Sequence, residues 1–371
     1  MKIPVFDLER YFAKYEFSTK YLLSCSDCQT MSMHELAAMA SEAARPLWDG
    51  LELGYTETMG HPLLRQAIAD LYPGLAADNT LIAAPEEGVF LLMNTLLKAG
   101  DHVVCISPAY QSLHEVARAI GCGVSDWVLD EQNGWAPDLA DLEKLLRPET
   151  RLVVINFPHN PSGAVVSQDF LDSLYALLDA RGIYLLSDEM YRFLYHDQVQ
   201  PPNPACGDYH RAVTLGGLSK AFGLPGLRLG WLATQDMDLL EEMSRFKDYT
   251  TICHSAPSEI LGIIALENRE AILDRQTRLI RKNRRVLEAF LKEHDARIRC
   301  VLPKGGSMCF PRLTFTDSAQ AFCENLVRDT GVMLVPSTMF RFGDHHVRIG
   351  IGRRDFPKVL EVFSSYLAAV V

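Results

Sequence analysis

The sequence has no long hydrophobic run, and no basic run longer than RLIRKNRR at 278–285, which is typical of the solvated face of a helix. Each of these features argues against a class of protein. No stretch of about 18 apolar residues occurs, and the first 17 residues carry charges every few positions, which argues against a membrane span or an export signal. The formal net charge of −11 disfavours nucleic acid and anionic membranes as partners. The composition therefore predicts a soluble protein that is not exported, with neither nucleic acid nor a membrane as its partner.

The nine cysteines show no metal-ligand spacing, and their odd number does not suit a disulfide framework. Cys25 and Cys28 have the C-x-x-C form, but no second pair follows them. We therefore expect no metal site, and we expect thiols that stay reduced.

Strand and helix signals alternate from about residue 80 onward. Apolar, β-branched runs at 102–107, 151–157 and 183–188 predict strands, while 111–121 and 167–182 have helical periodicity and end on glycine. Further strands are predicted at 124–129, 212–219 and 227–234. Near-continuous apolar strands between amphipathic helices indicate an α/β fold with a mainly parallel sheet covered on both faces.

The pattern changes after about residue 257. A long helical tract is followed by short strand signals and a closing helix, which predicts a second, smaller α+β domain. The 371 residues, 48% of them hydrophobic, are more than one compact domain usually holds. We expect a large domain over 45–280 and a small domain formed by 1–44 with 281–371. The short strands are expected at 299–303, 307–313, 332–336 and 346–350.

Polar residues that follow the buried strands are the candidates for chemistry, because ligands of such sheets bind at the carboxyl ends of the strands. Asp188 ends one apolar run and Tyr191 follows it in the sequence SDEMYR. A carboxylate there can hold the protonated pyridine nitrogen of pyridoxal 5′-phosphate (PLP), and the tyrosine can donate to the phenolate oxygen of that cofactor. The alternative for Asp188 is a helix N-cap.

Lys220 leaves a strand in the sequence GGLSKAFGLPGLRLGW, with Arg228 eight residues later. A lysine among small residues after an apolar run suits a Schiff-base lysine, and the arginine suits the cofactor phosphate. Most lysines are simply surface charges.

Two further strand ends add to this set. Asn160 lies in the Asn-Pro turn of INFPHNPSG, where its amide can donate to the phenolate oxygen of PLP, although Asn-Pro is also a common turn. Tyr110 in SPAYQSL can stack on the pyridine ring, or it can be an ordinary core aromatic.

The order and spacing of these residues resemble those of the fold-type I, PLP-dependent aminotransferases of class I/II. The Asn-Pro turn is followed by Asp and Tyr three apart, by Lys about thirty residues later and by Arg at plus eight, and the likeness runs over 53–353. The resemblance implies a three-layer large domain with a mixed, mainly parallel sheet and a smaller α+β domain. It also implies PLP bound to Lys220 as a Schiff base, with a free amino acid and a 2-oxo acid as substrates.

The resemblance assigns further residues. Tyr55 resembles the tyrosine that reaches the phosphate bound by a neighbouring subunit, which implies a homodimer with shared active sites. Arg348 resembles the arginine that binds the substrate α-carboxylate, with Asn160 also at the substrate. Ser219 resembles a hydroxyl near the phosphate. Thr250 or Thr251 would line the neighbour's site.

The phosphate cup departs from the family pattern at two places. Gly217 stands where many relatives have serine three residues before the lysine. Where relatives have a Gly- or Ser-rich turn that opens a helix, this chain has AAPEEG at 83–88. Pro85 has no N–H group, so only the amides of Glu86 and Glu87 are left as candidate donors to the phosphate.

Transamination is the reaction that the resemblance favours, with Lys220 as the general base at the substrate Cα. The same residues also suit a C–S lyase, a racemase or an arginine-type cyclase or oxidase. The segments around Glu16 and Asp27 resemble those with which relatives acting on arginine surround the substrate, although both residues also suit a solvated surface.

Two other classes fit less well. A dehydrogenase would need G-x-G-x-x-G after an early strand, and the chain has none in that place. A PLP-binding sensor without catalysis would need a separate DNA-binding segment, and no stretch of the sequence suits one.

Overall fold

The computed structural model describes residues 2–370. The strands are β1 (Tyr21–Leu22), β2 (Thr80–Ala83), β3 (His102–Ser107), β4 (Gly123–Val128), β5 (Thr150–Asn156), β6 (Tyr184–Asp188), β7 (Ala212–Gly217), β8 (Gly230–Thr234), β9 (Ile298–Arg299), β10 (Met308–Cys309), β11 (Arg312–Leu313), β12 (Val332–Met333), β13 (Val335–Pro336) and β14 (Val347–Gly350). The helices are α1 (Asp7–Tyr15), α2 (Met33–Ala38), α3 (Arg45–Asp49), α4 (Pro62–Ala69), α5 (Pro85–Leu96), α6 (Ser112–Ile120), α7 (Leu139–Leu145), α8 (Gln168–Asp179), α9 (Ala205–Asp208), α10 (Met237–Lys247), α11 (Ala256–Glu267), α12 (Arg269–Glu293), α13 (Ala319–Thr330) and α14 (Phe356–Val370).

A seven-stranded sheet forms the centre of the fold, in the order β2-β8-β7-β6-β5-β3-β4. Strands β3 to β7 run parallel, and β8 is antiparallel to both of its neighbours, β7 and β2. The inner strands β5, β6 and β7 are almost wholly buried, as expected for a sheet with helices on both faces. The predicted mixed, mainly parallel sheet is confirmed.

Capping residues explain where two of the helices begin and end. The Ser167 hydroxyl accepts from the Phe170 amide at 3.2 Å and so caps α8. Helix α6 stops at Gly121, whose φ of +105° lies in the left-handed region that glycine adopts without strain. Both boundaries lie within a few residues of those that the sequence predicts.

Smaller sheets lie beside the central one. Strands β10, β14 and β13 form an antiparallel sheet, and β9 pairs with β11. Strand β1 pairs in parallel with β12, so the N-terminal segment is joined to the C-terminal part of the chain. The strand signal at 307–313 corresponds to two short strands, β10 and β11, rather than one.

Strands β5, β6 and β7 present their carboxyl ends at one edge of the sheet, because they run in parallel. Asn156 is the last residue of β5 and Asp188 the last of β6, and Lys220 follows β7 by three residues. This edge therefore carries most of the predicted site. Within residues 2–370, no helix combines the length and the apolar character that a membrane crossing needs.

Candidate active site

Lys220 lies in the loop after β7, and its amine points to the N-terminal segment. The Nζ atom donates to the Ser26 hydroxyl at 2.9 Å. The Lys220 carbonyl accepts from the Cys28 amide at 3.2 Å. The lysine is therefore held between the large sheet and a segment almost 200 residues away in the sequence. Ser26 was not among the predicted site residues.

Asp188 is a largely enclosed carboxylate at the end of β6. Burial raises its pKa to about 6, although a hydrogen bond from the Met190 amide and the charge of Lys220 favour the ionised form. The Met190 amide donates to Oδ1 at 3.1 Å. An acid of this kind becomes ionised when a cationic partner is supplied, and a protonated pyridine nitrogen is such a partner.

Asn156 connects two of the predicted residues. Its Nδ2 donates to the Asp188 carbonyl at 3.0 Å, and its Oδ1 accepts from the Asn160 amide at 2.8 Å. Asn156 was also missed from the sequence, although a polar residue closing the apolar run RLVVINF is a signal that points to it.

Arg348 and Asn160, both predicted at the substrate, form a hydrogen-bonded pair. Arg348 is 1% exposed, and its Nη1 donates to Asn160 Oδ1 at 3.2 Å. The Ser24 carbonyl accepts from Nε at 3.2 Å and from Nη2 at 2.9 Å. Burial lowers the pKa of the guanidinium. The rings of Phe12 and Phe340 lie 5.7 and 5.5 Å from its central carbon. No carboxylate in residues 2–370 forms an ion pair with this guanidinium, which suits an incoming substrate carboxylate.

Among the buried hydroxyls that have no hydrogen-bond partner in residues 2–370, two lie at this site. They belong to Tyr191 and Ser219, which are 2% and 5% exposed. Burial raises the pKa of Tyr191, and the charges of Lys220 and Arg348 oppose that rise. Because an unpaired buried hydroxyl is unfavourable, both groups fit the phenolate and phosphate oxygens of PLP. Together with Asp188, these residues meet the requirements of the cofactor.

Tyr110 is half-buried and faces helix α1. Its hydroxyl donates to the Glu9 carboxylate, and its ring centroid lies 5.0 Å from that of Phe6. Burial raises the pKa of Tyr110, and the negative charges of Glu86 and Glu9 add to the effect. Stacking of this ring on a pyridine stays a prediction.

Tyr55 and Arg228 do not join the other predicted residues within this chain. Tyr55 is 90% exposed and lines a surface cavity of about 540 Å³. Arg228 is exposed, and its Nη1 donates to the Pro225 carbonyl at 3.1 Å. Their proposed contacts with the phosphate stay predictions.

The unusual loop at 83–88 forms the start of α5, which begins at Pro85. The Glu87 side chain turns to the loop after α10, where it accepts from the hydroxyls of Thr250 and Thr251 at 2.7 Å each. Both threonines thus contact their own subunit. Glu86 remains near the site, and burial raises its pKa to about 7, with the charges of Asp188 and Glu9 adding to that rise.

Gly217 has a steric reason for departing from the family pattern. A Cβ atom at this position would lie 2.9 Å from the Met190 methyl carbon and 3.2 Å from the Leu229 carbonyl oxygen. A serine therefore does not fit here unless these neighbours move.

The N-terminal segment brings carboxylates to the site. Asp27 accepts from Arg353 Nη2 through both oxygens at 2.8 Å, so its charge is already paired. Burial raises the pKa of Glu16, and the charges of Asp27 and Glu9 raise it further. The charges of Arg353 and Lys220 oppose this rise, so Glu16 lies within electrostatic range of both the acidic N-terminal residues and the lysine of the site.

Known proteins show which class this fold and site define. The model of the family "Aminotransferase class I and II" matches residues 18–356. The chain belongs to this family, whose members depend on PLP, and it is an aminotransferase-class enzyme, as the sequence predicts.

Three relatives are similar over almost their whole length. The capreomycidine synthase of Streptomyces vinaceus is 35% identical over 94% of this chain and 89% of its own. The crystal structure of a PLP-dependent aminotransferase from Streptococcus suis superimposes with a TM-score of 0.93 at 29% identity, covering 100% of this chain and 99% of that chain. The PLP-dependent cyclase OrfR gives a TM-score of 0.91 at 28% identity, with coverage of 100% and 99%.

Proposed function

We propose that Lys220 carries PLP and moves the Cα proton of a free amino acid, so that the amino group is transferred to a 2-oxo acid. The observation that carries this proposal is the convergence at one sheet edge of Lys220, Asp188 and the Arg348–Asn160 pair. When bound, PLP supplies an electron sink for the pair of electrons that the Cα–H bond leaves behind.

Each residue has a distinct task in this account. Asp188 holds the proton on the pyridine nitrogen, while Tyr191 and Asn160 donate to the phenolic oxygen. Arg348 binds the substrate α-carboxylate and thereby fixes the direction of the Cα–H bond. The free amine of Lys220 takes the Cα proton and returns it to another carbon as general base and then general acid.

The phosphate contacts are proposed for Ser219 and Arg228 of one subunit and for Tyr55 of its partner. Glu86 and Glu87 would donate only through their backbone amides, and Glu87 directs its carboxylate away to Thr250. Tyr110 would stack on the ring.

Tyr55 and the residues around it support a homodimer that shares its active sites. Leu53, Tyr55 and Tyr249 are each at least 85% exposed, and they are large apolar or aromatic side chains. Such a concentration of exposed apolar surface is typical of an interface.

We also propose the location and the domain boundaries. The boundaries are 45–280 for the large domain and 1–44 with 281–371 for the small one, supported by the pairing of β1 with β12. The boundary at residue 280 lies within the continuous helix α12. A cytoplasmic location is proposed from the net charge and the cysteine usage.

The substrate side chain is proposed to be cationic. The half-buried carboxylates of Glu9 and Glu16 stand on helix α1 and just after it, where they cover the site beside Tyr110. A guanidinium or ammonium group would be attracted by these carboxylates, whereas an acidic side chain would be repelled by them.

Cyclisation of an arginine-type substrate is the second candidate function. Two observations favour it: the acidic N-terminal cover described above, and the similarity to a capreomycidine synthase and to a PLP-dependent cyclase. This reaction uses the same Lys220 proton transfer but retains the amino group in the product.

Product analysis distinguishes the two functions. Purified holoenzyme is incubated with a 2-oxo acid and either L-arginine or its 3-hydroxy derivative, and the products are followed by mass spectrometry. Amino transfer gives the 2-oxo acid of the donor and a new amino acid from the acceptor in equal amounts. Cyclisation needs a leaving group at Cβ: with the 3-hydroxy derivative, a guanidine nitrogen bonds to Cβ and the hydroxyl leaves as water, so the ring product keeps its α-amino group and no acceptor is needed. If the enzyme turns over a neutral amino acid by amino transfer but does not react with arginine in either way, the proposed preference for a cationic side chain is wrong. The proposal of amino transfer would then still stand.

A further inference from the structure

The segment Ser24–Cys28 contacts the two residues on which the proposed reaction depends most. The Ser24 carbonyl accepts from Arg348, and the Ser26 hydroxyl accepts from Lys220 Nζ at 2.9 Å. One short stretch of backbone therefore connects the carboxylate-binding group with the amine that moves the proton.

Ser26 is firmly held in this position. The Ser307 hydroxyl donates to the Ser26 carbonyl at 2.6 Å. The next residue, Asp27, is paired with Arg353 through both carboxylate oxygens. The amide of Cys28 donates to the carbonyl of Lys220. These bonds restrain the backbone on both sides of Ser26, so its side chain stays within reach of Lys220 Nζ.

The Ser26 hydroxyl faces two of the predicted site residues. It accepts from Lys220 Nζ at 2.9 Å, and it lies close enough to the Tyr191 hydroxyl to oppose the rise of that residue's pKa. The hydroxyl also keeps its own proton available, because an ammonium or amine donor occupies only one of its acceptor positions.

We propose that Ser26 is a positioning residue for proton transfer by Lys220, an inference that rests on the proposed function. Its hydroxyl accepts from one N–H of the free amine and so limits the directions in which the nitrogen lone pair points. When the Cα–H bond breaks, the proton joins Lys220 Nζ and the electron pair passes into the electron sink.

The same hydrogen bond becomes stronger during this step. A neutral amine donates weakly, whereas the ammonium formed by proton transfer makes a charge-assisted bond to Ser26. An interaction that is stronger after the transfer than before it lowers the barrier to the chemical step rather than tightening substrate binding. Ser26 should therefore affect kcat much more than KM.

The test compares Ser26→Ala with Ser26→Thr, which keeps a hydroxyl, and with Ser173→Ala, which removes an exposed hydroxyl on α8. We expect Ser26→Ala to lower kcat roughly 10- to 100-fold with little change in KM. The kinetic isotope effect with α-deuterated substrate should rise in this variant, because proton transfer becomes more rate-limiting. Ser26→Thr should recover most of the rate, and Ser173→Ala should match the unmodified protein.

A second readout uses the protein without cofactor. Apoprotein is mixed with PLP, and the visible band is followed by stopped flow. The Ser26→Ala apoprotein should capture PLP about fivefold more slowly, because its lysine amine is less well oriented for attack. The final band and its pH midpoint should be unchanged, which a general disruption of the site would not allow.

Unchanged kcat and isotope effect in Ser26→Ala would overturn the proposal, and so would loss of the visible band in that variant. Lys220→Ala is measured in the same series. A visible band and turnover in Lys220→Ala would overturn the proposed function itself, which distinguishes that failure from a failure of the Ser26 proposal.

Discussion

Arg348 and Asn160 are 188 positions apart in the sequence, yet Nη1 of the arginine donates to Oδ1 of the asparagine at 3.2 Å. The Nε and Nη2 groups of the same guanidinium donate to the Ser24 carbonyl. None of these acceptors carries a formal charge, so the guanidinium has no directly hydrogen-bonded anion within residues 2–370. A substrate carboxylate would supply the missing charge, and this relationship motivates the first prediction.

Replacement of Arg348 by lysine should weaken the use of all amino-acid substrates. Lysine keeps the charge but cannot form the planar, two-bond contact with a carboxylate. We expect kcat/KM to fall roughly 100-fold, mainly through KM, as measured by steady-state kinetics. Arg181→Lys at an exposed ion pair with Glu143 serves as the control. An Arg348→Lys enzyme with unchanged KM would show that the carboxylate binds elsewhere.

Replacement of Asp188 by asparagine should affect the stability of the apoprotein in a pH-dependent way. The pKa of Asp188 is about 6 in the folded chain and about 3.9 in an unfolded chain. The folded state therefore binds this proton more tightly, and the contribution of Asp188 to stability decreases as the pH rises from about 4 to 6 and stays low above.

Asp188→Asn removes this unfavourable ionisation. The variant apoprotein should be more stable than the unmodified apoprotein by about 3 kcal/mol at pH 7.5, with the difference shrinking towards pH 4. Urea unfolding at several pH values measures this. With PLP present, the same variant should lose most of its turnover, because an amide cannot hold the pyridinium proton. Equal stability of the two apoproteins at every pH would contradict the account of the Asp188 environment.

Replacement of Glu16 by glutamine should reduce the preference for a cationic side chain. Arginine and citrulline have the same shape near the end of the side chain, but only arginine is charged. We expect the ratio of kcat/KM for arginine to that for citrulline to fall about tenfold in Glu16→Gln. Glu42→Gln, at an exposed position, is the control. An unchanged ratio would show that Glu16 is a solvated charge and does not face the substrate.

Tyr55→Phe should weaken cofactor retention and leave the fold intact. Mixing the Tyr55→Phe and Lys220→Ala variants shows whether Tyr55 contacts the cofactor of its own subunit or that of the partner subunit. In a dimer with shared sites, each mixed dimer contains one site with both native residues. After equal amounts are mixed and exchanged, about a quarter of all sites should retain PLP with native affinity. If Tyr55 acts in its own subunit, no site in the mixture regains it.

Residues at strand ends were predictable from the sequence alone, while the contacts between distant segments were not. Asp188, Asn160 and Lys220 follow apolar runs, and the parallel sheet brings the ends of these runs to one edge. Ser26 lies in an irregular segment, and the contact with Lys220 depends on how the N-terminal segment crosses the sheet edge. The hydrophobic periodicity of the sequence predicts individual helices and strands, but it does not predict where this segment crosses the sheet edge.

Other features depended on the family resemblance or were missed. Arg348 lies on the short strand β14. The sequence of this strand alone predicts an ordinary strand of the small domain, and only the family resemblance indicates a functional arginine there. The carboxylate of Glu9 was missed because α1 has the charge pattern of any surface helix, and only its packing on Tyr110 brings Glu9 to the site. The direction taken by the Glu87 side chain depends on a loop more than 160 residues later.

The most direct test of the central claim is the absorption spectrum of the purified protein and of Lys220→Ala, each supplied with PLP and then treated with borohydride. We predict a visible band in the unmodified protein, and after reduction a permanent mass increase on the peptide that contains Lys220. The variant should show free PLP and no modified peptide. A visible band with the label on another lysine, or no band in the unmodified protein, would contradict the assignment of Lys220 as the cofactor-bearing residue.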